Sequence, residues 1–364
     1  MKLRNVWAVS SVCALAFGLG ACGNAQENDA QPASSSAQTS STEGSTPVEY
    51  TEPLDLQAHR GGRGETTEES RLAFEKALDM GVSTLEFDIV MSKDGVPMVW
   101  HDPDVKAEKC RDTAPVQEGD PQFPYVGKDL HDLTLPQIQT LRCDVQLKDF
   151  PEQEVAKDNT MLQLKDVFAL TAERQADVDY NIETKIEGDK RERSASPEEF
   201  VDAILKEVDA AGVADHVTIQ SFDWRSLPLV KEHNPSIRTA ALYDETTWLE
   251  GSPWIGDIDY NAVHGDALEA ASQLKVDYVS PGYAVPYGTT PEDADFHPVT
   301  TREYVKKAHD LGMKVLPWTV NDESTLRWMI EEAGVDGIIT DYPSRLRSVM
   351  KDLGMELPQA YPSR

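Results

Sequence analysis

The chain is 364 residues long and carries 34 Lys and Arg against 64 Asp and Glu, a formal net charge of −30. That length allows one large domain or two ordinary ones, either able to bury a core. A field of that sign repels nucleic acid and anionic membrane alike, so a nucleic-acid partner or a membrane held by a basic patch is excluded.

The first residues, MKLRNVWAVSSVCALAFGLGACGN, combine a basic start, an apolar run from Val6 to Leu19 and a small-residue end. This is the build of a secretory signal peptide, and the run is too short to span a bilayer. Within it LGAC resembles the bacterial lipobox, in which Cys22 becomes the lipidated first residue; ordinary cleavage after a small residue is the alternative. Residues 1–22 are thus expected to be a lipoprotein signal peptide. Residues 23–53, rich in Ser, Thr, Gln and Pro, are expected to form a disordered tether, because they lack the apolar side chains whose burial would offset their ordering entropy. The prediction is an exported protein, a bacterial cell-envelope lipoprotein or periplasmic, whose membrane contact is the lipid anchor alone.

From residue 54 to 350 short Val-, Ile- and Leu-rich runs alternate with helical stretches, the pattern of βα units around a parallel sheet. The strand candidates are LDLQAH, STLEFDIV, DYNIETKI, VTIQSF, RTAALY, DYVSP, KVLPWTV and DGIIT. A helix over 70–81 begins at the cap residue Ser70 and stops at Gly81. Eight such units, with no Gly-rich dinucleotide fingerprint after any strand, predict a (β/α)₈ barrel of the α/β class rather than a doubly wound sheet.

Two segments break the alternation. VPMVWH (96–101) follows the second strand with only an Asp94-Gly95 turn between, which predicts a hairpin that sets His101 opposite Phe87 and beside Asp88. Residues 102–160 are rich in Pro, Asp and Gln and are expected to be an insertion capping the catalytic end. That insertion holds Cys110 and Cys143, an even pair in an exported chain, which reads as a disulfide. Residues 161–176 resume as an amphipathic helix, and 351–364 are left as a C-terminal tail.

Barrel chemistry sits at the carboxyl ends of the strands, and here those ends are polar. The first ends in His59-Arg60 and the second carries Glu86 and Asp88, two apart and so on one face. The hairpin adds His101, the NIETK strand adds Glu183 and Lys185, and TIQSF adds Gln220. Carboxylates from different strands facing one point raise one another's pKa unless a cation sits among them. An all-oxygen set suits a hard divalent ion, Ca²⁺ or Mg²⁺, better than zinc. Two histidines beside such a cation, Arg60 and Lys185 could take and give protons while the cations offset phosphoryl charge, the requirement for phosphodiester cleavage. Gly61, Gly62 and Gly64 either let the backbone approach a phosphate or form a plain tight turn. His131, His216, His233, His264, His297 and His309 are read as packed or solvated.

HRG at 59–61, EFDIVMSKDGVPMVWHD at 86–102, NIETK at 181–185, QSF at 220–222, WTVN at 318–321 and GVDGIITDYP at 334–343 together resemble the glycerophosphodiester phosphodiesterases. The resemblance implies a barrel of the phosphatidylinositol phospholipase C type that hydrolyses glycerophosphodiesters, such as glycerophosphocholine, to glycerol 3-phosphate and an alcohol. It further implies that His59 and His101 are the acid/base pair, that Glu86, Asp88 and Glu183 hold the metal, and that Arg60 and Lys185 contact phosphate. The family's PENT element corresponds here to TEES, so Glu68 is a fourth candidate near the metal, with the proline and asparagine missing. Gln220 is read with the phosphate contacts and Trp318 as a surface for glycerol or headgroup. Two alternatives stay open: a phospholipase C or D acting on intact lipids, and a surface lipoprotein that binds a partner without catalysis.

Overall fold

The computed structural model describes residues 48–363; the signal peptide, Cys22 and the tether up to residue 47 lie outside the described residues. Eleven strands occur among the described residues: β1 (Asp55–Ala58), β2 (Thr84–Met91), β3 (Pro97–Val99), β4 (Asp179–Thr184), β5 (Val217–Ser221), β6 (Arg238–Tyr243), β7 (Tyr278–Pro281), β8 (Ala284–Val285), β9 (His297–Pro298), β10 (Lys314–Val315) and β11 (Gly337–Thr340). Eight of them run parallel in the order β10-β7-β6-β5-β4-β2-β1-β11. Backbone bonds from Asp336 N–H to Val315 O and from Ile339 N–H to Pro317 O, each 3.1 Å, join the two ends. The expected barrel is therefore the observed one.

The strands follow from their sequences. In β2, Leu85, Phe87 and Ile89 are fully buried on one face, and Phe87 meets Phe74 of α1 (Arg71–Met80) edge to face at 5.6 Å. The alternate residues Glu86 and Asp88 must then point into the barrel. α1 starts where the Ser70 hydroxyl accepts from Ala73 N–H and stops at Gly81, whose φ is 91°, the two end signals present in the sequence. The hairpin register pairs Ile89 with Val99 and Val90 with Met98, which carries His101 to the level of Phe87.

Five features depart from the sequence reading or add to it. β10 is only two residues long because Pro317, in the middle of KVLPWTV, has no N–H for the ladder. Residues 102–160 form a small core of their own, with Val105, Tyr125, Leu130, Ile138 and Leu141 packed on Val90 and Met98, and Cys110 is disulfide-bonded to Cys143. The β8/β9 hairpin after β7 had no strong strand signal, being short and interrupted by Pro286 and Gly288. Residues 48–53, expected as the end of the tether, lie against the base of the barrel: the Tyr50 hydroxyl donates to Ile330 O at 3.1 Å. The tail folds back in the same way, with Tyr361 N–H on Leu78 O at 2.7 Å.

Candidate active site

The carboxyl ends of the strands enclose a pocket of about 160 Å³ lined by His59, Arg60, Glu86, His101, Glu183 and Lys185, with an aromatic side built from Phe222, Tyr287 and Trp318. A larger hollow of about 640 Å³ lies under the opposite end around Tyr50, Asp55 and Asp336. It is the smaller pocket that gathers the chemistry, as the barrel architecture requires. No residue of 102–160 lines it. The expected cap instead stands beside the pocket, where Lys109 bridges Glu68 and Asp102 at 2.5 Å each and Gln153 Nε2 donates to Arg63 O at 2.6 Å.

The turn after β1 fixes the first histidine. His59 Nδ1 lies 2.5 Å from Asp341 Oδ1. Because a carboxylate only accepts, Nδ1 carries the hydrogen and Nε2 keeps its lone pair, 3.9 Å from Glu86 Oε2. Asp341 is held in turn by Asn321, whose Nδ2 donates to Oδ2 at 2.7 Å and whose Oδ1 accepts from Asp341 N–H at 2.9 Å. Gly62 and Gly64 serve this contact. A Cβ on Gly64 would stand 2.6 Å from the Tyr342 ring, and one on Gly62 3.0 Å from Pro343. The chain after β1 can therefore lie flat against 341–343 only without side chains there. Asp341 and Asn321 sit inside two of the sequence motifs, TDYP and WTVN, but nothing in linear spacing links either to His59.

Glu86, Asp88 and Glu183 each bring a carboxylate oxygen within 4.8 Å of the others, all three buried. Burial, then the neighbouring charge of Asp88, pushes Glu86 well above the ordinary carboxylate range. Burial likewise pushes Glu183 up to about 7, Lys185 at 2.8 Å opposing it and Asp88 adding to it. Burial acts against the charge of Asp88 too, but the charges of His101, Arg60 and Lys185 outweigh it and hold Asp88 below its usual value. Both Asp88 oxygens are buried and accept no hydrogen bond. Three convergent buried carboxylates, with the Asp88 oxygens lacking a hydrogen-bond donor, could hold a metal ion, and an all-oxygen set would suit a hard divalent one.

The cationic residues divide. Lys185 stays with the triad, 4.0 Å from Asp88. Arg60, at φ 52°, donates its N–H to Glu86 Oε2 at 2.9 Å and sets its guanidinium between Asp88 (3.1 Å) and Glu68 (3.3 Å). Burial disfavours that charge, yet Glu68, Asp88 and Glu69 around it raise the Arg60 pKa further. Glu68 is enclosed by Arg60, Arg63 and Lys109. It stands apart from the triad, the fourth ligand position suggested by TEES falling instead within an ion-pair cluster. Its neighbour Glu69 turns inward and accepts Asp88 N–H at 2.9 Å.

His101 is partly exposed at the rim, its Nδ1 3.4 Å from Asp102. Burial, then Arg60 and Lys185, push its pKa well below the ordinary imidazole value. His59 is also lowered, chiefly by burial, with Asp341 opposing. Gln220 lines the pocket, but its amide is engaged below it, with Nε2 on Glu86 Oε1 at 2.6 Å. The Trp318 indole N–H is held by Ser280 O at 2.8 Å, and its ring packs on Phe222 at 5.3 Å and Tyr287 at 5.6 Å.

Comparison with known proteins decides the family. The profile of the Glycerophosphoryl diester phosphodiesterase family matches residues 59–345. The chain belongs to that family. This phosphodiesterase is 25% identical over 352 residues to glycerophosphodiester phosphodiesterase GDPD6 of Arabidopsis thaliana, covering 86% of this chain and 90% of that one. A Silicibacter pomeroyi crystal structure assigned as a glycerophosphoryl diester phosphodiesterase superposes with a TM-score of 0.69 at 26% identity, over 85% of this chain and 97% of the other. An Oleispira antarctica phosphodiesterase, solved with its product sn-glycerol-3-phosphate, shares the fold at a TM-score of 0.57 and 18% identity, over 82% and 97%. As a member of this family the chain is a phosphoric diester hydrolase.

Proposed function

We propose that this phosphodiesterase hydrolyses glycerophosphodiesters, glycerophosphocholine among them, to glycerol 3-phosphate and an alcohol. The observation that carries the reading is the placement of His59, fixed by Asp341, in one pocket with His101, Lys185 and the carboxylate triad. In this reading His59 is the base, because Asp341 leaves Nε2 able to take the proton of the attacking hydroxyl. His101, at the rim, gives a proton to the departing alcohol oxygen, the negative charge of the bound phosphodiester opposing Arg60 and Lys185 and favouring the protonated imidazole. Arg60 and Lys185 lie against the phosphoryl oxygens, and Trp318 packs on the glycerol or headgroup. Glu86, Asp88 and Glu183 would hold Ca²⁺ or Mg²⁺, which when bound offsets charge on the phosphoryl group. The Cys22 anchor would place the enzyme at the outer side of a bacterial membrane, and no helix among the described residues is long and apolar enough to cross one.

A second reading, hydrolysis of a phospholipid that keeps an acyl chain, is favoured by one observation: Tyr287 and Val285, beside the pocket, are 46% and 39% exposed. One panel separates the two. Glycerol 3-phosphate release from glycerophosphodiesters, abolished by chelator and restored by Ca²⁺ or Mg²⁺, supports the proposal; cleavage of acylated lipids alone supports the second reading.

A further inference from the structure

The lower half of the barrel interior holds an uninterrupted line of hydrogen bonds that ends on Glu86. At the base, Asp55 accepts from the Thr84 hydroxyl on Oδ1 and from Gln57 Nε2 on Oδ2, both at 2.7 Å. Gln57 Oε1 accepts from Asn181 Nδ2 at 2.8 Å. The same Nδ2 donates to Gln220 Oε1 at 3.0 Å, and Gln220 Nε2 donates to Glu86 Oε1 at 2.6 Å. The residues are two apart on each strand, Asp55 and Gln57, Thr84 and Glu86, Asn181 and Glu183, so the line climbs the inner face of four adjacent strands.

The line has a direction. Asp55 can only accept at its carboxylate, so Gln57 must turn Nε2 toward it and Oε1 toward Asn181. Asn181 then uses Nδ2 for both neighbouring amides, leaving its buried Oδ1 without a donor. Gln220, accepting at Oε1, is left to present Nε2 and nothing else to Glu86. Gln57, Asn181 and Gln220 are 2%, 0% and 1% exposed, where amides cost stability that aliphatic side chains would not. On the facing strands the pocket-lining positions Leu242 and Ile339 are filled that way. Three buried amides in one line are explained by what they hold.

We infer that Gln57, Asn181 and Gln220 are positioning residues that orient Glu86 for metal binding from the base of the barrel. Gln220 occupies Oε1 and the Arg60 N–H occupies Oε2, so the carboxylate plane is fixed toward Asp88 and Glu183 before any ion arrives. This rests on the metal reading of the triad given above. Partners behind metal ligands commonly account for ten- to hundredfold in affinity.

Calorimetric titration of the metal-free full chain with Mg²⁺ and with Ca²⁺ tests it. Asn181→Asp reverses the line: both neighbouring amides must donate to the new carboxylate, Gln220 turns Oε1 toward Glu86, and two acceptors then face each other. Asn181→Leu cuts the line without reversing it. The expected result is metal binding weakened by about ten- to hundredfold in N181L and more in N181D, with unchanged circular dichroism. Ile219→Ala, an outward-facing core truncation on the next strand, should lower Tm while leaving metal affinity within about twofold. If neither Asn181 variant folds, Gln57→Met, volume-conserving and touching neither Glu86 nor Gln220, takes their place with the same expected loss. Folded variants that bind metal as tightly as the parent overturn the inference alone. A parent that binds neither ion overturns it together with the metal reading.

Discussion

His59 and Asp341 lie 282 positions apart and meet at 2.5 Å, Nδ1 against Oδ1. Burial disfavours the charge of Asp341, but His59 and Asn321 outweigh that and keep it a carboxylate. Asp341→Asn leaves the shape intact but offers His59 an amide in place of a pure acceptor, and the ring can then settle in the tautomer that hides its lone pair. We expect kcat to fall by about 10²- to 10⁴-fold, with metal affinity and Tm close to those of the parent. Steady-state kinetics on glycerophosphocholine reads it; unchanged kcat would remove Asp341 from the mechanism.

The barrel, the hairpin and the triad were legible in the sequence because each depends on local periodicity. Alternation along β2 determines which way Glu86 points, and an Asp-Gly turn determines how far His101 travels. What could not be read depends on where the ring closes. Asp341 reaches His59 because β11 pairs with β1, a relation between the two ends of the domain. The adjacent Glu68 and Glu69 look equivalent in sequence, yet Glu68 faces three cations and Glu69, at a φ of 53°, accepts from Asp88 N–H. The carboxamides of Gln57 and Asn181 read as ordinary strand residues until the barrel brings them together.

His101 is assigned to the leaving group, and leaving-group acidity tests that assignment. A departing choline needs a proton in the transition state, whereas p-nitrophenolate scarcely does. His101→Ala should lose about 10²- to 10⁴-fold on glycerophosphocholine and far less on a p-nitrophenyl phosphodiester. His59→Ala should lose comparably on both. Equal losses for H101A on the two substrates would exchange or discard the roles.

Glu68 is predicted to act in stability rather than as a metal ligand. Burial disfavours its charge, but Arg60, Lys109 and Arg63 outweigh that and hold its pKa well below 4.5. Its contribution is thus fully present above the unfolded value and lost as pH falls below it. Glu68→Gln leaves three cations around a neutral amide and should cost about 3–5 kcal/mol in urea unfolding at pH 7. Metal stoichiometry should stay that of the parent. Loss of the bound ion in a folded E68Q protein would return Glu68 to the ligand set.

Proton release on metal binding is the sharpest test of the triad. In the metal-free protein burial holds Glu183 up at about 7 and Glu86 well above its ordinary range. Folded, these groups therefore keep protons between pH 4.5 and about 7 that the unfolded chain has already lost, so their share of stability is present below 4.5 and disappears as pH rises through the folded value. A metal ion binds only the deprotonated carboxylates. At pH 6 binding must expel protons, and at pH 8 the Glu183 proton is already gone. Calorimetry in two buffers of different ionisation enthalpy should show about one more proton released per ion at pH 6 than at pH 8, so that affinity rises with pH more steeply below 7 than above it, by up to about a further tenfold per pH unit. The gain in Tm on adding metal should accordingly be larger at pH 8 than at pH 6. Equal proton release at the two pH values would mean that the ion is held by groups other than Glu183.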